Sequence, residues 1–223
     1  MALQQYAVAQ PAVSLPATNK LIRNTYMLLA MTLVFSAVTA GMSIAINMPY
    51  MGPLLTLGGY FGLLFLTTYL RNSAWGLLSI FALTGFMGLT LGPMINAYLH
   101  HFTNGGQLVM LAMGGTGAIF LGLSGYALST RKDFSFLGGY VLVGILVAFL
   151  AGIGALLFNL PALSLAVSAV FIMLMSAFIL YQTSEMIHGG ETNYIMATIS
   201  LYVSIYNLFT SLLHLLGAFA GED

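Results

Sequence analysis

The sequence predicts an all-α membrane protein of seven transmembrane helices with the last helix at the centre. Three observations carry this. Of 223 residues, 60% are hydrophobic and only 4% charged, with a mean hydropathy of +0.98, whereas soluble domains carry roughly 25% charged residues. The apolar residues fall into seven runs, each close to the ~20 residues that cross a bilayer as a helix. The seventh run carries polar residues at helical spacing, which lipid would not tolerate on an outer face.

In chain order, residues 1–19 lack charge before Lys20, show no apolar periodicity and contain Pro11 and Pro16. They read as a flexible cytoplasmic tail without the basic and apolar regions of a signal peptide; Thr18 or Asn19 is the expected cap of the first helix. Residues 20–223 form the transmembrane domain. The spans run over Thr25–Ile46, Pro53–Leu70, Trp75–Leu99, Gln107–Ser129, Phe136–Phe158, Pro161–Gln182 and Ala197–Ala220. Turn sequences such as Asn47-Met48-Pro49, Asn104-Gly105-Gly106 and Asn159-Leu160-Pro161 join them, so sequence neighbours are antiparallel. Gly58 and Gly62 in span 2, and Gly88 and Gly92 in span 3, form GxxxG pairs whose expected role is packing within the bundle. Gly92-Pro93 should kink or end span 3, because proline removes a backbone donor.

All five Lys and Arg residues (Lys20, Arg23, Arg71, Arg131 and Lys132) fall at the same end of a seven-span chain. The positive-inside rule then places the N-terminus in the cytoplasm and the C-terminus outside. The balance of charge is zero, which gives nucleic acid no purchase. Cysteine is absent, so disulfides, thiol nucleophiles and thiolate metal sites are excluded.

In span 7, Ser200, Ser204, Asn207, Ser211 and His214 recur at steps of four, three, four and three, within about 80° of helical arc. They mark a polar stripe turned toward other helices or a polar pathway, with helix packing the more common use of such residues. Every Asp and Glu (Asp133, Glu185, Glu191, Glu222 and Asp223) reads as a loop or tail residue, which weakens an ion-transport reading. Gly122-Leu123-Ser124-Gly125 resembles the Gly-x-Ser-Gly of rhomboid proteases. Ser124 lies near the basic end of span 4, however, and His214 near the other end of span 7. Their depths differ by roughly 15–20 Å, too far for a nucleophile and its base. His100-His101 and the His188–Glu191 loop match no strong metal signature, and no cofactor is expected. His188, beside two glutamates, is a potential pH reporter.

Several segments together resemble the Bax inhibitor-1 family. They are Gly85-Phe86-Met87-Gly88 with Leu91-Gly92-Pro93, the run Thr130 to Gly139, His188-Gly189-Gly190-Glu191-Thr192-Asn193-Tyr194-Ile195, and Ser200 to Asn207. The resemblance covers the chain after the tail and is closest to the bacterial YccA-like branch. It implies a seven-helix fold with the last helix surrounded by the others. It also implies an inner-membrane protein that binds the FtsH protease, which associates with HflK–HflC, and restrains its degradation of membrane proteins. ATP and zinc would belong to FtsH. Another branch leaks calcium in response to pH through a pair of aspartates. The matching positions here are Gln182 and Ser204, neither of which titrates as a carboxylate pair does. Glu185, one turn after Gln182, is the nearest substitute, and a calcium or cation leak is the alternative function.

Overall fold

A computed structural model describes residues 15–221, which form seven α-helices. They are α1 (Leu15–Ala45), α2 (Gly52–Leu70), α3 (Trp75–His101), α4 (Gly105–Thr130), α5 (Leu137–Leu157), α6 (Pro161–His188) and α7 (Tyr194–Ala220). All seven are long and apolar enough to span a membrane. The loops α2–α3, α4–α5 and α6–α7 gather at the end that carries the basic residues. There Asn193 donates to the Arg71 carbonyl (3.0 Å), and the Phe134 amide donates to Ser184 Oγ (2.9 Å). At the other end Asn96 donates to Asn47.

Helix α7 is the axis. It packs on α1, α3, α4 and α6, while α2 leans on α3 and α5 on α6 as an outer layer. Along α7 only Phe219 is exposed, and Leu201, Leu208 and Leu213 are fully buried. The outward faces of the other helices are apolar, as hydrocarbon demands. Exposed aromatics collect toward both ends, with Tyr69, Trp75, Phe136 and Tyr140 at the basic end and Tyr50, Phe158 and Phe219 at the other. That is the distribution of interfacial belts.

Several local expectations need correction. Helix α1 begins at Leu15, so residues 15–19 are not tail, and Thr18 and Asn19 lie inside the helix rather than capping it. Pro16 sits in the first turn, where its missing N–H breaks no helical bond. The remainder of the tail, residues 1–14, lies outside the described residues. Helix α6 continues past Gln182 to His188 and stops at Gly189, whose φ of +87° suits glycine. Glu185 is therefore a helical residue of the last turn rather than a loop residue. Asn47 and Asn159, with φ near +48° and +49°, make the tight reversals expected of those turns.

The two glycine pairs differ. Gly88 and Gly92 are buried against α1: a Cβ on Gly88 would collide with Ser36 and Thr39, and one on Gly92 with Ser43. This lets the parallel helices α1 and α3 approach closely. Gly58 and Gly62 instead face outward, with nothing within 4 Å of a built Cβ. They do not pack within the bundle: α2 packs chiefly on α3, with Phe61 reaching Phe149 on α5, and the two glycines lie away from these contacts. Pro93 does not end α3, which continues for two turns beyond it. The Leu89 carbonyl, whose helical partner would be the N–H that Pro93 lacks, accepts instead from Ser43 Oγ at 2.9 Å.

Candidate functional site

The polar stripe of α7 is enclosed but largely closed on itself. Ser204 is fully buried and donates to the Ser200 carbonyl at 2.8 Å. Asn207 donates through Nδ2 to the Val203 carbonyl at 2.8 Å, leaving Oδ1 as the spare acceptor. Ser211 is buried. His214 alone bonds a neighbouring helix through its side chain, with Nδ1 2.8 Å from Ser168 Oγ on α6. Back-bonding of this kind satisfies a hydroxyl without a partner helix. Asn207 and Tyr206 border a crevice of about 500 Å³ that also reaches Tyr60 on α2, Thr90 on α3 and Phe149 on α5.

A second polar group lies toward the basic end. Tyr26 Oη on α1 is 2.8 Å from Ser124 Oγ on α4, which is 3.3 Å from Thr183 Oγ1 on α6. Thr198 on α7 lies within hydrogen-bond range of both its own Tyr194 carbonyl and the Thr25 carbonyl of α1. Gln182 is 5% exposed, and its Nε2 finds no protein partner among the described residues; the same holds for Thr25 Oγ1. Ser124 therefore has hydroxyls around it and no base, while His214 is engaged with Ser168. The structure keeps the two residues of the proteolytic motif apart.

At the basic end itself, Glu185 lies in the electrostatic field of Asp133, His188 and Glu191. These groups are organised by their loops. Asp133 accepts from the Ser135 amide (2.9 Å) and hydroxyl (2.6 Å), and these bonds hold its carboxyl below the ordinary value of 3.8. Glu191 accepts from the amides of Thr192 and Asn193. His188 Nδ1 lies within reach of Ser184 Oγ and the Ser184 carbonyl. Among the described residues no three His, Asp or Glu side chains converge as metal ligands would. His101, at the opposite end, closes on the Ala97 carbonyl of its own helix.

The sequence places Tyr202 and Tyr206 on the face of α7 opposite the stripe, and what sequence reasoning missed is the hydrogen bonding they do there. Tyr202 is 1% exposed; Ser36 Oγ lies 2.6 Å from its hydroxyl, which donates to the Thr84 carbonyl at 3.2 Å. One turn on, the Tyr206 hydroxyl is 3.1 Å from Thr90 Oγ1. These bonds tie α7 to α1 and α3. Two tyrosines four residues apart in an apolar span were the available signal, since a buried phenol needs a partner.

Comparison with known proteins is consistent over nearly the whole chain. A family model described as "Inhibitor of apoptosis-promoting Bax1" matches residues 18–221. The Escherichia coli K12 protein named "Modulator of FtsH protease YccA" is 51% identical over 94% of each chain, as is "Inner membrane protein YccA" of Escherichia coli O6:H1. "Uncharacterized protein PA2604" of Pseudomonas aeruginosa is 52% identical over 99% of each.

Proposed function

The chain belongs to the Bax inhibitor-1 family, and from that premise we propose that it is an inner-membrane modulator that binds the FtsH protease and restrains its degradation of membrane proteins. The observation that carries the reading is the 51% identity, over 94% of both chains, with a protein named as a modulator of FtsH. The geometry fits a regulator. Ser124 is surrounded by hydroxyls, and the polar side chains described either close on their own helix, as Ser204 and Asn207 do, or tie helices together, as Tyr202, Tyr206 and His214 do. The proposal assigns this chain no catalytic step and no cofactor.

In this reading the basic end faces the cytoplasm, following the positive-inside rule, and the C-terminus faces the periplasm. Residues 1–14, uncharged and poor in helical pattern, are the handle offered to FtsH, alone or with HflK–HflC. The bundle behind them resists extraction, because α7 is buried among four helices and the loops of the basic end are tied together. The protein thus occupies the protease as a poorly processed competitor. Neither Gln182 nor Ser204 bears a carboxyl, so a calcium leak would need another titrating group, with Glu185 as its candidate.

The test is the half-life of an FtsH membrane substrate in cells with and without excess of this protein. A longer half-life, with FtsH abundance unchanged and the two proteins co-purifying, is the expected result. An unchanged half-life overturns the proposal and directs attention to calcium flux in liposomes. Deleting residues 2–14 should weaken restraint; full restraint without them would eliminate the handle.

A further inference from the structure

Helices α1 and α4 meet toward the basic end, where the Tyr26 ring lies 6.1 Å from Phe120 and its hydroxyl bonds Ser124. In the half of the bundle away from the basic residues a crevice of about 520 Å³ separates them. Its mouth is made by small or flexible residues: Ala37 and Gly41 on α1, Met113 and Gly117 on α4. A Cβ on Gly41 or Gly117 would meet nothing within 4 Å. Its floor is the central helix, at Tyr202, Tyr206 and Phe209.

We infer that this crevice takes up an acyl chain of a membrane lipid from the leaflet opposite the basic loops, bringing hydrocarbon into contact with α7. Two observations select this occupant. First, the mouth is continuous with the lipid boundary. It is flanked by the exposed side chains Val34, Val38 and Met42 on α1 and Met110 on α4, on helices that span the membrane. Second, the lining offers water little. Ser36 and Tyr202 bond each other, Thr116 bonds the Ala112 carbonyl, and Tyr206 bonds Thr90. No charged side chain lines it. An ordered water needs two to four free polar partners, and apolar cavities stay dry.

The test is photolabelling of the full chain in vesicles of phosphatidylethanolamine and phosphatidylglycerol doped with a phospholipid bearing a diazirine on one acyl chain. Adducts are mapped by peptide mass spectrometry. The expected result is labelling of α7 at Tyr202, Ile205 and Phe209, which line this crevice and not the one bordered by Asn207. Gly41→Leu and Gly117→Leu, from opposite walls, should each reduce that labelling by about tenfold and leave adducts at Val34 and Val38 unchanged. The preserved outer adducts show that a variant has folded; if one variant fails this check, the other decides. Absence of adducts at these three residues in the wild type overturns the inference. So does labelling of them that persists in a folded variant. Labelling of Ile205 or Phe209 by a water-soluble diazirine would also overturn it, since the crevice would then be wet.

Discussion

Replacing Ser43 by alanine removes the donor that occupies the Leu89 carbonyl, and the cost follows from Pro93. In an unbroken helix that carbonyl would accept from residue 93, which here has no N–H. Ser43 is fully buried and its hydroxyl donates at 2.9 Å. Leaving a buried carbonyl unpaired costs about 1–3 kcal/mol, while interhelical hydrogen bonds measured in membranes average ~0.6 and reach ~1.7 kcal/mol. The expected loss for Ser43→Ala is therefore about 1–1.5 kcal/mol. Because the change deletes one oxygen and no methyl, no sizeable cavity term adds to it. The decisive comparison is the same substitution made in a Pro93→Ala background, where residue 93 can again donate to Leu89. There Ser43→Ala should cost about 0.5 kcal/mol or less, giving a coupling of about 1 kcal/mol in the double-mutant cycle. Reversible unfolding in bicelles, followed by steric trapping, measures all four species. Equal costs in both backgrounds would refute the argument that Ser43 repairs the gap left by proline.

Other consequences can be checked by simpler means. Gly92→Ala pushes a methyl into Ser43 and to 3.1 Å from the Ala40 carbonyl; it should destabilise by about 1–3 kcal/mol, whereas Gly58→Ala, facing open space, should be nearly neutral in the same unfolding assay. Asn193 accepts from the Ile195 and Met196 amides and donates to the Arg71 carbonyl and Asn72 Oδ1. Asn193→Ala should cost about 1–2 kcal/mol and speed hydrogen exchange at Ile195 and Met196, while Asn193→Asp should keep the cap and loosen only the tie to the α2–α3 loop. The carboxyl of Asp133 titrates below its ordinary value because Ser135 donates to its charged form. Its contribution to loop order is then complete above the ordinary value and is lost as pH falls through the depressed one; Ser135→Ala should raise the titration midpoint seen by NMR. Ser124→Ala should leave protease restraint intact in the substrate half-life assay, since that serine serves only hydroxyl neighbours.

The sequence by itself determined the class of the molecule, its seven helices and the common end of its basic residues. These follow from hydrophobicity summed over long windows, and hydrocarbon enforces that signal almost residue by residue. It also pointed to α7 as the inner helix, because a polar stripe has no stable place against lipid. Only the tertiary structure decided what each small or polar residue meets. Gly58-xxx-Gly62 and Gly88-xxx-Gly92 read alike, yet one pair faces outward and the other seats α1 against α3. Helical periodicity gives a direction around one axis and not the identity of the neighbour across it. Likewise the carbonyl left unpaired by Pro93 is implicit in the sequence, but its partner Ser43 lies fifty residues away. The stripe from Ser200 to His214 was legible as polar, but not that Ser204 and Asn207 close on carbonyls of α7 while His214 reaches Ser168 on α6, because a polar side chain reaches its own helix and a neighbour with equal ease until packing fixes its rotamer.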